Sequence, residues 1–387
     1  MEFEKINLIT NNFFHNSKVL NIVLIDSGLI NKTFIIEYSN NRKKSKFILQ
    51  CLSNVFESYE IVNMNHELIT DHIKRKIKQN YLNLNCQRLE VASLIRCMSN
   101  NLFVFPSDSG FWRAMVYIDN TFSVDILEDK NMAYQTGIGL SKFHLACSDL
   151  DHTKLEKSIK HFHNTKYFIE QFNTSLQNFN FMKLDEEIRK RVQKLIFNLS
   201  NQIVHVNYIL ELLKKKSIAL SVIHGDPKIS NFLFDIKDNY VVSLIDLDTV
   251  SSGYLLTDLA DCIRSICNLG GEDPKTMKNV CFDIDSCKYF LKGYFSLSNE
   301  DENESFRFLP EFIYLIIFEL SIRFLTDFLQ LNRYFKIKYK THNLYRAEVQ
   351  YRLLSSLLNQ MSDLSNELDK IGFSSSSTFV SDIKKNL

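Results

Sequence analysis

SVIHGDPKISNFLFD (Ser221–Asp235) decides how this chain is read. A short apolar run ends at His224-Gly225-Asp226, and Asn231 follows Asp226 by five residues before a second apolar run, Phe232–Phe234. A third run, Val241–Ile245, closes on Asp246, with Asp248 two residues on and Asp258 and Asp261 at the head of a helical segment. Gly-Asp in a loop is common turn chemistry, and an Asp and an Asn five apart recur by chance. The joint order of strand, HGDxxxxN, strand and IDxD is more demanding. Phosphoryl transfer from a nucleotide needs a carboxylate at the acceptor hydroxyl and oxygen ligands that hold magnesium against the phosphates. In the kinase template a catalytic-loop Asp precedes a metal-binding Asn by five residues, and a second Asp arrives at a strand end. Magnesium is a hard ion that suits an Asn carbonyl and an Asp carboxylate. This spacing makes Asp226 the candidate base and Asn231 and Asp246 candidate magnesium ligands.

Length and composition bound what surrounds this motif. A chain of 387 residues exceeds one ordinary core, so two lobes with a cleft between them are expected. Lys+Arg number 46 and Asp+Glu 45, which argues against a broad basic field for nucleic acid. The eight cysteines are scattered without a CxxC pair. They read as small buried hydrophobes in a reducing compartment, not a disulfide framework or a zinc site. MEFEKINLITNNFF lacks the basic start and apolar segment of a signal peptide. The most apolar window, Phe312–Leu320, is interrupted by Glu319 and is too short to span a bilayer. The expectation is a cytoplasmic protein with no membrane contact.

The pattern changes character along the chain. Val19–Ile25, Lys32–Tyr38 and Lys46–Leu49 read as strands, with the polar link SNNRKKS (Ser39–Ser45) as a hairpin connection. Apolar spacing predicts a helix over Tyr59–Ile77, and a second hairpin spans Leu102–Ile118 around Ser107-Asp108-Ser109-Gly110. Beyond about residue 120, Met132–His144 and Asp185–Lys215 read as amphipathic helices, the latter with Asp185 as its cap. Short strands are expected at Ile218–Ile223, Phe232–Phe234 and Val241–Ile245, and helices to about residue 365. The acidic NEDENES (299–305) reads as a solvated loop. The expected division is an N-lobe over 1–118, a C-lobe over 119–370 and a flexible tail over 371–387.

HGDPKISNFLFD followed by SLIDLDTVSSGYLLTDLADCIR resembles the aminoglycoside phosphotransferase and choline kinase superfamily of small-molecule kinases. Within it, GLINKTFII (28–36), FILQCLSNVF (47–56), FWRAMVYID (111–119), FHNT (162–165) and RFLTDFLQLNRYFK (323–336) are similar in order and spacing to the N-acetylhexosamine 1-kinase type. The resemblance implies an α+β, bilobal, protein-kinase-like fold with a small antiparallel β-rich N-lobe and a larger, mainly helical C-lobe. It implies ATP and Mg2+ as cofactors, with Asp226 as base, Asn231 and Asp246 as metal ligands and Asp248 as a further metal-shell carboxylate. His224 and Asp258 would support the catalytic loop, and Tyr117–Asp119 would offer hinge backbone to the adenine. Arg264, His163, Asn164, Arg323 and Asp327 become candidate acceptor contacts, although a buried Arg or Asp on a helix equally serves a structural ion pair. The implied partner is a small sugar or amino sugar, the assembly a monomer or homodimer.

Two departures bear on the nucleotide. DSGLINKTF holds one glycine, Gly28, which reads equally as a phosphate-loop residue and as a hairpin turn; backbone amides and the Asn31 and Thr33 side chains are further candidates to bind phosphate. Where most kinases carry a strand lysine, FILQ ends in Gln50, as the N-acetylhexosamine kinase type also does. Glu67 is a candidate helix acid without a lysine partner, and Trp112 fits core filling. Two alternatives accompany the sugar kinase reading: an aminoglycoside- or choline-type phosphotransferase, and a pseudokinase that binds nucleotide without turnover. The acceptor, its phosphorylated hydroxyl, and ATP against GTP are not legible.

Overall fold

A computed structural model describes residues 2–15, 17–25, 30–40, 43–80, 87–108, 110–216, 218–297 and 304–373. Gly28, the acidic run up to residue 303 and the tail from 374 lie outside the described residues. The chain opens with helix α1 (Glu2–Phe13), followed by strands β1 (Lys18–Ile25), β2 (Lys32–Asn40) and β3 (Lys43–Cys51). Helix α2 (Tyr59–Lys78) precedes β4 (Leu94–Ile95), β5 (Phe105–Ser107) and β6 (Gly110–Val116). These strands form one antiparallel sheet in the order β1-β2-β3-β6-β4, with β5 paired to β6. Alternation sends Phe34, Ile36, Phe47, Leu49, Trp112 and Ala114 into a small core. Helix α1 closes that core with Ile6, Ile9 and Phe13, apolar positions at helical spacing on one face.

The chain then crosses to a helical half. After β7 (Thr121–Phe122) come α3 (Lys130–Cys147), α4 (Thr165–Asn178) and α5 (Glu186–Lys214). The strands β8 (Ser221–Ile223), β9 (Phe232–Asp235), β10 (Val241–Leu244) and β11 (Ser251–Gly253) carry the opening motif. Helices α6 (Leu255–Ile266), α7 (Ile284–Phe295), α8 (Leu309–Leu329), α9 (His342–Asn359) and α10 (Met361–Lys370) complete it. A single large core joins these helices, and α8, buried on nearly every side, runs through it. Two expectations are trimmed. Residues 218–220 stay outside β8, which pairs with β11 only over Ser221–Ile223, and Asp185 precedes α5 without a side-chain cap bond. Among the described residues no helix is long and apolar enough to cross a membrane.

Candidate active site

Strand geometry assembles the loop between β8 and β9. Gly225 adopts φ +89°, and a Cβ there would lie 2.7 Å from the Thr249 carbonyl oxygen, so only glycine lets the chain turn this tightly. Asp258, on the first turn of α6, accepts the amides of His224 (2.6 Å) and Gly225 (2.8 Å). Its carboxylate is held in turn by His144 of α3 at 2.9 Å, whose other ring nitrogen meets the Tyr294 hydroxyl. His224 bridges to the end of β10: the carbonyl of Ile245, the residue after that strand, accepts from its Nε2, and its Nδ1 receives the Asp226 amide. Burial holds the His224 ring below its ordinary pKa against the pull of Asp258 and Asp226, which keeps that bridge neutral.

The loop delivers Asp226 and Asn231 to the cleft between the lobes. Burial pushes the Asp226 carboxyl up, but Lys228, His224 and Arg264 more than offset it, and its pKa lies below the usual carboxylate range. Lys228 donates to Asp226 Oδ2 at 2.9 Å. Asn231 donates its Nδ2 to the Asp226 carbonyl (2.8 Å), and its own carbonyl receives the Ile245 amide (2.9 Å). That last bond brings Asn231 beside Asp246, which follows β10 in the left-handed backbone region at φ 65°. Among the described residues no hydrogen bond reaches Asn231 Oδ1 or the Asp246 carboxylate. Two hard oxygen donors without a partner fit magnesium shared with nucleotide phosphates, which needs few protein ligands. No cluster of three His, Cys, Asp or Glu exists among the described residues to hold a metal alone. Burial, then the neighbouring Asp248, push the Asp246 carboxyl up to about 7, with Lys228 opposing.

Asp248 has other partners. Its oxygens meet the guanidinium of Arg113 on β6 and the Asn31 amide at 2.8 Å. Arg113, fully buried, also donates to Gln50 (3.0 and 2.7 Å) and Asn63 (3.3 Å), and Gln50 donates to Thr33. Thr33, Gln50, Arg113, Tyr117 and Leu233 line the apolar half of the cleft, which ends at Lys228, Asn231 and Asp246. Asp119 stays out of it; Arg88 binds the Asp119 carbonyl and braces the crossing between lobes. Glu67 pairs with Arg96 at the surface, and Trp112 fills the core.

The other half of the cleft lies beyond Asp226, lined by His163, Arg264, Glu319 and Arg323 with Phe162, Phe324 and Phe335. Arg264 is committed to Asp261 (2.7 Å) and Glu272 (3.0 Å). Thr165 donates to Glu319 at 2.7 Å. The Arg323 guanidinium sits among Phe162, Phe168, Tyr334 and Phe335, at 4.8 to 5.8 Å from their ring centres, with Glu319 at 3.9 Å. His163 Nε2 donates to the Gly225 carbonyl at 2.7 Å, and its buried Nδ1 has no hydrogen-bond partner. Two candidates fall outside the lining. Asn164 caps α4, and Asp327 accepts the amides of Arg333, Tyr334 and Phe335 and the Asn343 side chain. Sequence reasoning missed Lys228, which stood two residues after Asp226, and Arg113, whose signal was a lone charge inside an apolar strand.

Residues 130–279, which hold the β8–β9 loop, Asp246 and α6, match the phosphotransferase enzyme family. A choline kinase from Cryptosporidium parvum Iowa II superposes with TM-score 0.56 at 14% identity, over 94% of this chain and 96% of that one. An aminoglycoside phosphotransferase from Alicyclobacillus acidocaldarius superposes with TM-score 0.59 at 12% identity, over 92% and 96%. A spectinomycin phosphotransferase solved with ADP and spectinomycin gives 0.54 at 12%, over 92% and 96%. These likenesses establish the protein-kinase-like fold. The segment that carries the β8–β9 loop, Asp246 and α6 thus matches a family of phosphotransferases, within a chain of protein-kinase-like fold.

Proposed function

We propose that the protein transfers the γ-phosphate of ATP, with magnesium, to the anomeric hydroxyl of an N-acetylhexosamine or a closely related sugar. The observation that carries this reading is one cleft whose apolar part meets, at Lys228 and Asp246, a polar part lined by Asp226, in which Asp261, Glu272 and Glu319 are already engaged by Arg264, Thr165 and Arg323. Asp226 is ionised at neutral pH, orients the acceptor hydroxyl and takes its proton as the new O–P bond forms. The bond between the γ-phosphorus and the bridging oxygen breaks, ADP leaves with that electron pair, and Asp226 returns its proton to solvent. Asn231 and Asp246 hold magnesium, which supplies charge neutralisation at the phosphates. Lys228 adds a fixed cation beside Asp226, where negative charge passes during transfer. Asp248 serves Arg113 and Asn31 in this reading, not the metal. Since the transition state is loose, positioning and charge neutralisation provide most of the rate.

The acceptor half favours a neutral, hydroxyl-bearing ligand. A cationic acceptor needs carboxylates free to meet it, yet Asp261 and Glu272 are spent on Arg264, and Glu319 faces Thr165 and Arg323. The aromatic enclosure that would suit a quaternary ammonium already contains the Arg323 guanidinium. The buried His163 Nδ1, which has no hydrogen-bond partner and lies 3.8 Å from Glu319 Oε1, is left for a sugar hydroxyl to satisfy. A turnover panel of free hexosamines, N-acetylhexosamines, their methyl glycosides, choline and aminoglycosides tests the proposal. Turnover is expected with a reducing N-acetylhexosamine and not with its methyl glycoside. Preference for choline or an aminoglycoside would overturn the acceptor assignment.

A further inference from the structure

Gln50 and Arg113 are cross-strand partners in the β3–β6 ladder. The residue expected to carry the phosphate-facing lysine is therefore neutral, and a cation stands directly opposite it on the neighbouring strand. We propose that Arg113 is the phosphate-facing cation of the nucleotide site, displaced one strand sideways, an assignment that rests on the nucleotide reading above. Its surroundings carry the case. Arg113 is fully buried on a strand flanked by Trp112 and Ala114, where an apolar side chain would cost far less. It borders the apolar half of the cleft with Thr33, Tyr117 and Asp246. The ordinary arrangement pairs a strand lysine with an acid on the neighbouring helix. Here the helix supplies neutral Asn63, and the compensating carboxylate is Asp248, two residues past Asp246. One positive and one negative charge are kept, but the acid now belongs to the segment that carries the metal-ligand candidate.

The guanidinium is also oriented. Two bonds to Gln50, one to Asn63 and one to Asp248 occupy four of its five N–H groups, leaving one Nη1–H unassigned among the described residues. Gln50 is itself fixed by donating to Thr33. Gln50 thus positions the cation that takes the lysine's place.

Calorimetric titration of the full chain with ADP, adenosine, GDP and guanosine in magnesium-free buffer tests this without relying on turnover. Wild-type protein is expected to bind one nucleoside diphosphate more tightly than its nucleoside. In Arg113→Met, affinity for the diphosphate should fall roughly 10- to 100-fold, the range for a lost charge-assisted hydrogen bond, while the nucleoside changes by less than about twofold. Because Arg113→Met leaves Asp248 buried without its cation, the charge-preserving Gln50→Lys/Arg113→Gln exchange is measured beside it. That exchange should keep the diphosphate-to-nucleoside ratio within about tenfold of wild type. An unchanged ratio in Arg113→Met, or an equal loss of both ligands in the two variants, would overturn the role of Arg113 alone. Failure of wild-type protein to bind either diphosphate would overturn the nucleotide reading together with it.

Discussion

Asp246 meets opposing demands. Its carboxyl is pushed up to about 7 by burial and by Asp248, from an ordinary value of 3.8. A carboxyl whose folded-state pKa is raised stabilises the fold fully below its unfolded value, and that contribution is lost as pH rises through the folded value. Without metal, the cost of ionising Asp246 therefore appears between about pH 4 and 7. Asp246→Asn removes it: the metal-free variant should melt higher than wild type at pH 8 and nearly equally at pH 4, while magnesium-dependent turnover is lost. Thermal melts at the two pH values, beside a turnover assay, check both halves. Equal melting at pH 8 would contradict the buried-carboxylate account. That Asp226, Asn231 and Asp246 meet at one cleft was readable because the kinase template sets their spacing within one stretch. Lys228 lay in the same stretch but reads as an ordinary loop lysine until its ammonium is seen on Asp226. The Arg113–Asp248 pair was not readable, since it joins residues from opposite lobes.

Among the elements, Asp327 shows how a site can depend on a residue that never enters it. One turn of α8 separates it from Arg323, and its carboxylate gathers three successive amides of the loop that brings Phe335 to the acceptor half of the cleft. Asp327→Ala should destabilise the protein by about 3 kcal/mol, the scale for several buried donors losing a charged acceptor, and raise the acceptor KM more than the ATP KM. Equilibrium denaturation and steady-state kinetics read these effects, and an unchanged acceptor KM would count against the loop's role. Periodicity located β1 to β3, α2, α3 and α5 to within a few residues, although α3 is buried on most sides and β1 buries only Val19. Helix α1 received no assignment, although Ile6, Ile9 and Phe13 carry the stripe that closes the small core. Residues 218–220 looked strand-like because all three are apolar, but pairing with β11 begins only at Ser221.

At the scale of the molecule, the cleft is held by contacts that the order of elements alone did not reveal. Asn31 donates to Asp248 across the lobes, and Lys336 donates to the Asn31 carbonyl at 2.6 Å, so the loop after α8 touches the start of β2. Length and the passage from strands to helices announced two lobes. The acceptor half was not legible, because it is assembled from segments near residues 162, 264, 319 and 335 that meet only when the helices pack. The central claim is that this cleft transfers phosphate by way of Asp226. Its most direct test is single-turnover transfer from ATP to an accepted sugar by wild type and Asp226→Asn, with ADP affinity measured on both. The account predicts a rate loss of at least about 10³-fold with ADP affinity within about threefold, the pattern of an interaction made only during transfer. Transfer by Asp226→Asn within about tenfold of wild type would contradict it.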